Sequence, residues 1–459
     1  MPDLFRILQM GQKAINAHQS AMNTIGHNIS NVNTEGYSRQ RVNLTPGVSI
    51  TRLNNIFGAG VDVESVQRVR SRFIDQQLLQ ERPSFGQFEF LADSLQFIEE
   101  IYNEPSDFGL NRALEDFFFS FQDLANDPES STVRQVVKER AARLTSNFNR
   151  IHRQLTSYQK ELNGELNTKV DEVNRHIEQI ADLNKKIASY ERDGNQAPDL
   201  RDKRDLMLDK LSKLIDIQTS ENQDGLISIA TGGQFLLIET KVQPLTLQSS
   251  SSVSHGPEVV FESSSKPVHF DKGYLKGLLD TRDKIIPDHL DQLDELARTL
   301  ASEVNALHRT GFTLSGETNI SFFNENITDA SDFALSAVIL NDPGKIAASA
   351  QADAAGDNRI ALALSELQNK QTLTNGSATF GDFYNSLISA LGAQTQEANA
   401  MKGNFSLTVE QLEMRRESIS GVSLDEEMVN MIESQNAFSA AARFITTVDE
   451  MTQTVLDML

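Results

Sequence analysis

The sequence predicts an α+β, mainly α fold: coiled-coil pairing of N- and C-terminal helices, a long helical-bundle middle domain, and a small inserted antiparallel β domain. Three observations carry this. Bulky apolar residues recur every seven positions at both ends of the chain, a helical period persists from residue 128 to about 193, and the period turns strand-like between Gly225 and Phe270.

At the N-terminus Leu4, Leu8, Ile15, Met22, Ile25, Ile29 and Val32 follow helical spacing, and positions 8, 15, 22 and 29 form an unbroken heptad series. Gly11, Ala14 and Ala21 lie between them and permit close approach by a partner helix. At the C-terminus Leu424, Met431, Phe438, Ile445 and Leu459 share one heptad position, interrupted by Thr452, while Ala441, Val448 and Val455 line the neighbouring one. Ser423 followed by Glu426 has the spacing of a capping box, so that helix is expected to start there. A single helix of about thirty residues with one apolar stripe is marginal alone in water, so the two stripes are expected to find each other.

Beyond Tyr37, "RVNLTPGVSITRLNN" and "GAGVDVESVQRV" alternate around Pro46, Gly47, Gly58 and Gly60 and read as short strands or hairpins. Helices are expected near 73–102 and 108–126. A rod-like helix should follow, with Asp127 as N-cap and Pro128 at its first position. Its face runs Leu144, Phe148, Ile151, Leu155, Tyr158, Leu162, Leu166, Val170, Val173, Ile177, Ile180 and Ile187, and "LRDKRDLMLDKLSKLID" offers it a partner. The segments "GLISIATGG", "QFLLIET", "VQPLTLQ", "PEVVFES" and "KPVHF" read as strands, with a Ser-rich loop at 249–254. Helix should resume at "HLDQLDELARTLASEVNALHRTG" and stop at Gly311; from Asp357 helices dominate, with breaks near Thr374 and at "ISGVS". The domain boundaries expected are therefore 1–40 plus 421–459 for a terminal-helix unit, and 41–220 plus 275–311 plus 333–420 for a mainly helical unit. Residues 221–274 are expected to form an inserted β unit, with 312–332 as an additional candidate segment.

Composition narrows the function. Across 459 residues, 42 Lys+Arg oppose 64 Asp+Glu, a net charge of -22, which repels phosphate backbones and anionic membranes; no nucleic-acid partner is expected. The longest apolar runs, such as "FALSAVIL" and "FFFSF", are far short of a membrane span. The first residues carry no basic, apolar and small-residue signal pattern. Cys is absent, which removes disulfides and thiolate chemistry. None of the 8 His lies in a metal-ligand spacing, and there is no GxSxG, Walker A or GxGxxG motif. The carboxylates are abundant, but at this density on helices they read as solvated faces. No catalytic residue, cofactor or metal is expected.

The stretch "AINAHQSAMNTIGHNISNVNTEGYSRQRVNL" resembles the N-terminal signature of the bacterial flagellar axial family of rod, hook and junction proteins. The ordered series "GAGVDVESVQRVRSRFIDQQLLQER", "LEDFFFSFQDLANDPESSTVRQ", "LRDKRDLMLDKLSKLI", "LARTLASEVNALHRTGF", "GDNRIALALSELQ", "FGDFYNSLISALG" and "ISGVSLDEEMVNMIESQNAFSAAARFITTVDEM" is similar to its hook-associated branch. The resemblance implies a non-enzymatic adaptor, a ring of identical subunits between the flagellar hook protein and a second hook–filament junction protein. It also implies passage through the type III export apparatus, an export chaperone held by the C-terminal helix, a cytoplasmic stage before export, and a final extracellular place on the flagellum. Leu4, Leu8, Ile15, Met22, Ile25, Ile29, Leu424, Met431, Phe438, Ile445 and Val448 are then the expected polymer interface, within and between subunits. Both termini are expected to be disordered before assembly. Asn28, Asn31, Asn33, Gly36 and Tyr37 are the expected hinge, with Gly36 supplying a positive-φ turn and Tyr37 an aromatic anchor. Two other readings stay open on the residues alone: a cytosolic coiled-coil scaffold working through residues 128–193, and an appendage-associated wall hydrolase.

Overall fold

The computed structural model describes residues 2–457 except 49, 53–54, 105, 107–108, 193, 250–255 and 375. The side chain of Leu4, the seam position Leu459 and most of the Ser-rich loop lie outside the described residues.

Helix α1 (Pro2–Ser30) leads through a turn into β1 (Gln40–Pro46), which pairs antiparallel with β4 (Val61–Arg68); between them β2 (Ile50–Arg52) and β3 (Asn55–Phe57) form the tip of the same excursion. A register shift between Asn43 and Leu44 marks a bulge in this ribbon. Helices α2 (Arg72–Tyr102), α3 (Leu110–Asn126), α4 (Ser131–Glu191) and α5 (Pro198–Leu214) follow. The 61 residues of α4 extend about 90 Å. Its expected ladder from Leu144 to Ile187 is buried against neighbouring helices, except that Tyr158 is half-buried and donates its hydroxyl to Ser94 Oγ at 2.9 Å.

The start of α4 differs from expectation. Asp127 does not cap it: residues 127–130 form a turn, and the hydroxyl of Ser130 accepts the amide of Val133 at 3.3 Å. Pro128 stays outside because its carbonyl accepts Arg134 Nη2 at 2.7 Å, which fixes it as a turn residue.

The β unit contains β5 (Gln218–Glu221), β6 (Ile227–Thr231), β7 (Gln234–Ile238) and β8 (Lys241–Val242) in a sequential antiparallel meander, and β9 (Leu245–Gln248) paired with β10 (Glu258–Phe261). "VQPLTLQ" is two strands, not one, because Pro244 has no amide to continue the ladder. "KPVHF" makes only an isolated bridge, Pro267 to Val260. The edge strand β5, "QTSE", is wholly exposed and lacks the apolar alternation by which a strand is recognised.

The helix expected from His289 begins earlier. Helix α6 (Tyr274–Asp280) runs through one π-turn at Thr281–Ile285 into α7 (Ile286–His308), and Pro287 sits just past that turn. Residues 312–332, the additional candidate for the β unit, pack on the helical body instead: the Phe322 and Phe323 rings lie tilted against Phe117, and Asn305 accepts the Phe323 amide at 2.8 Å. Helices α8 (Ala337–Asn341) and α9 (Arg359–Glu366) precede α10 (Phe380–Ser420), which starts in a capping box between Thr379 and Asp382. One core runs from Phe90 to Ala398 through both the helical body and the β unit.

Helix α11 (Leu424–Asp457) returns along α1, so the two ends of the chain form an antiparallel hairpin outside that core. Gly11 sets the closeness of the approach: a Cβ there would lie 2.5 Å from Ile445 Cγ1 and 3.4 Å from Phe444 Cδ1. Gly11→Val should therefore spread the hairpin at a cost of about 1–3 kcal/mol, read as faster amide exchange along residues 5–20; unchanged exchange would contradict the packing.

Candidate assembly surface and its joint

The hairpin is thinly buried for its length. Ala17, Ile25 and Val448 are buried, whereas Leu8, Ile15, Met22, Ile29, Met431, Phe438 and Ile445 are half-buried. Leu424 does not join the seam; it is exposed, as are Met428, Val429, Ile432 and Met451. Helix α11 therefore carries apolar side chains on the face turned to α1 and on the faces turned to solvent.

Below the hairpin is a polar joint. Asn28 is 1% exposed and uses its whole bonding capacity. Its Nδ2 donates to the Gln40 carbonyl at 2.9 Å and to Glu427 Oε2 at 3.0 Å; its Oδ1 accepts the Gln40 amide at 2.9 Å and the Tyr37 hydroxyl at 2.7 Å. One side chain thus ties the end of α1, the turn, β1 and the start of α11. Glu427, also 1% exposed, is matched by Arg39 Nε at 2.7 Å, while Arg39 Nη1 reaches Glu426 at 2.9 Å and the Arg39 amide donates to the Ser420 carbonyl at 2.8 Å. Glu426 is thereby engaged with Arg39.

Asn31 donates to the His27 carbonyl at 2.9 Å, closing the helix end locally, and Asn33 is exposed. Gly36 has φ of +78°, and a Cβ there would meet the Leu206 side chain at 3.1–3.4 Å, so two independent constraints select glycine. Burial, with the charges of Asp199, Asp202 and Glu427 adding to it, pushes the Tyr37 phenol well above its ordinary range and keeps it protonated.

Helix α5 fastens this joint to the body through residues that seam and signature reasoning missed. Asp202 accepts the Ser38 amide at 2.9 Å, the Ser38 hydroxyl at 2.8 Å and Arg68 Nη1 at 2.8 Å. Asp205 takes Arg68 and Arg70, both at 2.7 Å; Asp209 takes Arg82 and Arg416, both at 2.7 Å. The signal was present in the spacing: Asp199, Asp202, Asp205 and Asp209 recur at helical intervals, opposite Arg68 and Arg70 on alternate positions.

Beside this joint, a groove of about 1190 Å³ lies between β4, the end of α4 and α5. Its charges pair with each other, Arg70 with Asp75 and Arg201 with Glu191, both at 2.7 Å. Among the described residues no three His or acidic side chains form a metal cluster, and no helix is long and apolar enough to cross a membrane.

Comparison with known proteins follows this division of the chain. Residues 95–323 match the flagellar hook-associated protein FlgK helical domain, residues 8–37 match the flagella basal body rod protein family, and residues 416–458 match the flagellar basal body rod FlgEFG protein C-terminal family. Flagellar hook-associated protein 1 of Bacillus subtilis (strain 168) is 33% identical over 500 residues, covering 100% of this chain and 99% of the relative. The chain belongs to the flagellar hook-associated protein 1 family.

The Escherichia coli (strain K12) family member is 25% identical over 549 residues, covering 98% of this chain and 99% of its own length. That alignment is longer than the 459 residues here, so this member of the family lacks segments its relative carries. The flagellar hook junction protein FlgK from Burkholderia pseudomallei shares the fold, with a TM-score of 0.66 at 17% identity over 75% of this chain and 100% of that one. The rod-family matches fall on α1 with its turn and on α11, so the hairpin is the part held in common with rod proteins.

Proposed function

We propose that this chain is a structural adaptor of the bacterial flagellum, joining hook to filament and working without catalysis. The observation that carries the reading is the terminal hairpin: two paired helices with apolar residues on inward and outward faces, outside the main core and anchored to it by the Asn28 joint. A hairpin of this kind gains most of its stability from copies of itself packed alongside, which gives a ring of subunits in a helical tube. Residues 1–40 with 421–459 act as the inner polymerising unit. The helical body spans 41–220, 275–311 and 333–420, and the β unit faces outward. The hook protein on one side and a second junction protein on the other are the axial neighbours. Before export an escort chaperone covers the C-terminal helix in the cytoplasm, the type III apparatus passes the unfolded chain, and the refolded hairpin packs beside its copies on incorporation outside the cell.

Immunogold labelling of sheared flagella tests the assignment: label is expected only at the hook–filament boundary, and label along the filament, or none outside the cell, would refute it. Gly36→Val is expected to lower incorporation at least ten-fold while the body stays folded by circular dichroism, because it strains the turn and presses on Leu206. Normal incorporation of that variant would remove Gly36 from the hinge.

A further inference from the structure

The four residues of β5 are exposed, and their pairing with β6 fixes which backbone groups they leave unused. In an antiparallel ladder, pairs that exchange hydrogen bonds alternate with pairs whose N–H and C=O point away from each other. The Asn222 amide donates to the Leu226 carbonyl at 3.0 Å, so that pair is of the bonded kind. Glu221 and Ile227 are then of the other kind. The Ile227 backbone agrees, because its N–H and C=O turn away from β5 to the Asn184 side chain, at 3.3 and 2.8 Å. Two residues along, Thr219 opposite Ile229 repeats the arrangement. The N–H and C=O of Thr219 and Glu221 therefore point outward from the sheet, and among the described residues none of these four groups has a hydrogen-bond partner.

Thr219 and Glu221 are also the β5 residues that line the groove beside α5, so the free edge opens on that space of about 1190 Å³. Small-molecule sites usually fall within about 300–1,000 Å³, and this groove is already beyond them. Charge selects what enters it. Asp75, Glu191, Asp205, Asp209 and Glu221 on its walls are each held by an arginine. Arg72 and Arg192 are exposed and have no ion-pair partner among the described residues, against one free carboxylate, Asp224. Arg72 also opens α2, whose first N–H groups have no side-chain cap, so the positive end of the helix dipole adds to the field. On a chain of net charge -22 the groove is a locally positive place.

We propose that β5 is a docking edge for an acidic, extended segment of a partner protein, which adds as a further strand along Thr219 and Glu221 and turns its carboxylates to Arg72 and Arg192. Main-chain hydrogen bonds supply the affinity, and the two arginines select the partner. The edge belongs to the β unit and the body, apart from the terminal hairpin, so it stands or falls separately from the junction assignment.

The test is an anisotropy titration of the full chain with a short fluorescent peptide alternating Thr and Glu, against the same peptide with Lys for Glu. The Glu peptide is expected to bind saturably, at least about ten-fold more tightly than the Lys peptide. At saturation the amides of Thr219 and Glu221 should exchange more slowly, while those of Gln218 and Ser220, already bonded to β6, should not change. Thr219→Pro removes one outward N–H and spares the β5–β6 ladder, so it should weaken the Glu peptide about ten-fold. Arg72→Glu combined with Arg192→Glu, both at the surface, should reverse the preference in favour of the Lys peptide. Absence of saturable binding, equal affinity for the two peptides, an unchanged preference in the double arginine variant, or slowing at Gln218 and Ser220 overturns the proposal. Slowing at Thr219 and Glu221 that grows with chain concentration and needs no peptide also overturns it, by giving the edge to a second copy.

Discussion

Asn28→Leu is expected to unfasten the terminal hairpin from the body at a cost of about 3–5 kcal/mol, far more than a buried Asn normally contributes. The reason is what the change leaves behind. Leucine has similar volume but satisfies none of the four groups that converge there: the Gln40 N–H and C=O, the Tyr37 hydroxyl and the Glu427 carboxylate. Glu427 is the costly one, being 1% exposed with Arg39 as its remaining partner. The measurement is urea unfolding of the full chain followed by exchange in residues 20–40 and 424–430, where Asn28→Leu should open well before the body. Asn28→Asp makes the argument discriminating. It keeps acceptors for the Gln40 amide and Tyr37 but puts a second carboxylate about 3 Å from Glu427. Its loss should therefore be partly restored in mild acid, where one carboxylate takes a proton, while the Leu variant shows no such recovery.

Local periodicity was legible in this sequence to the degree that a single face determined it. The α4 ladder from Leu144 to Ile187 sits where threes and fours put it, because a long helix packed along one side has no other way to bury those residues. The terminal heptads correctly announced paired helices. They did not reveal that Leu424 points to solvent, since a heptad position says which residues share a stripe and not which stripe faces the intramolecular partner. Strand β5 was invisible because its four residues bury no apolar face and are held by backbone pairing and the Glu221–Arg201 ion pair. Joining α6 to α7 required accepting Pro287 within a helical path, which the π-turn before it makes possible. The joint was hardest for a different reason: Arg68 and Asp202 are 134 residues apart, and Asn28 and Glu427 are 399 apart. Turn chemistry indicated Gly36 and Tyr37 from their neighbours; no local rule supplies a partner from the far end of the chain. The buried Arg134, which donates to the carbonyls of Ile346 and Pro128, is of the same kind.

Acid is expected to destabilise the body steeply through two buried imidazoles. His308 is fully buried, with Nδ1 donating to the Ile320 carbonyl at 2.7 Å and Nε2 accepting the Ala347 amide at 2.8 Å. Its neutral form is thus fixed by two backbone groups, and a proton on Nε2 would confront an N–H. Burial, with Arg134 nearby, brings its pKa from the ordinary 6.5 to about 4. Burial does the same to His289, also to about 4, beside the Tyr102 hydroxyl at 3.2 Å. Both are depressed in the folded state, so the unfolded chain binds more protons between the two values. The stabilisation is complete above about pH 6.5 and is lost as pH falls to about 4, at about 3 kcal/mol for each ring. Asp216 and Asp294, whose carboxyl pKa values are raised by burial, act in the opposite direction, so the whole-chain slope is a sum. His308→Gln separates the contributions: its amide can still accept from Ala347 but cannot take a charge. Urea midpoints measured from pH 7 to pH 4.5 should fall less steeply in that variant than in the wild type, even though it is weaker at pH 7. Parallel slopes for the two chains would mean that His308 is already protonated in the folded state, and that the hydrogen bond from Ala347 is not made as described.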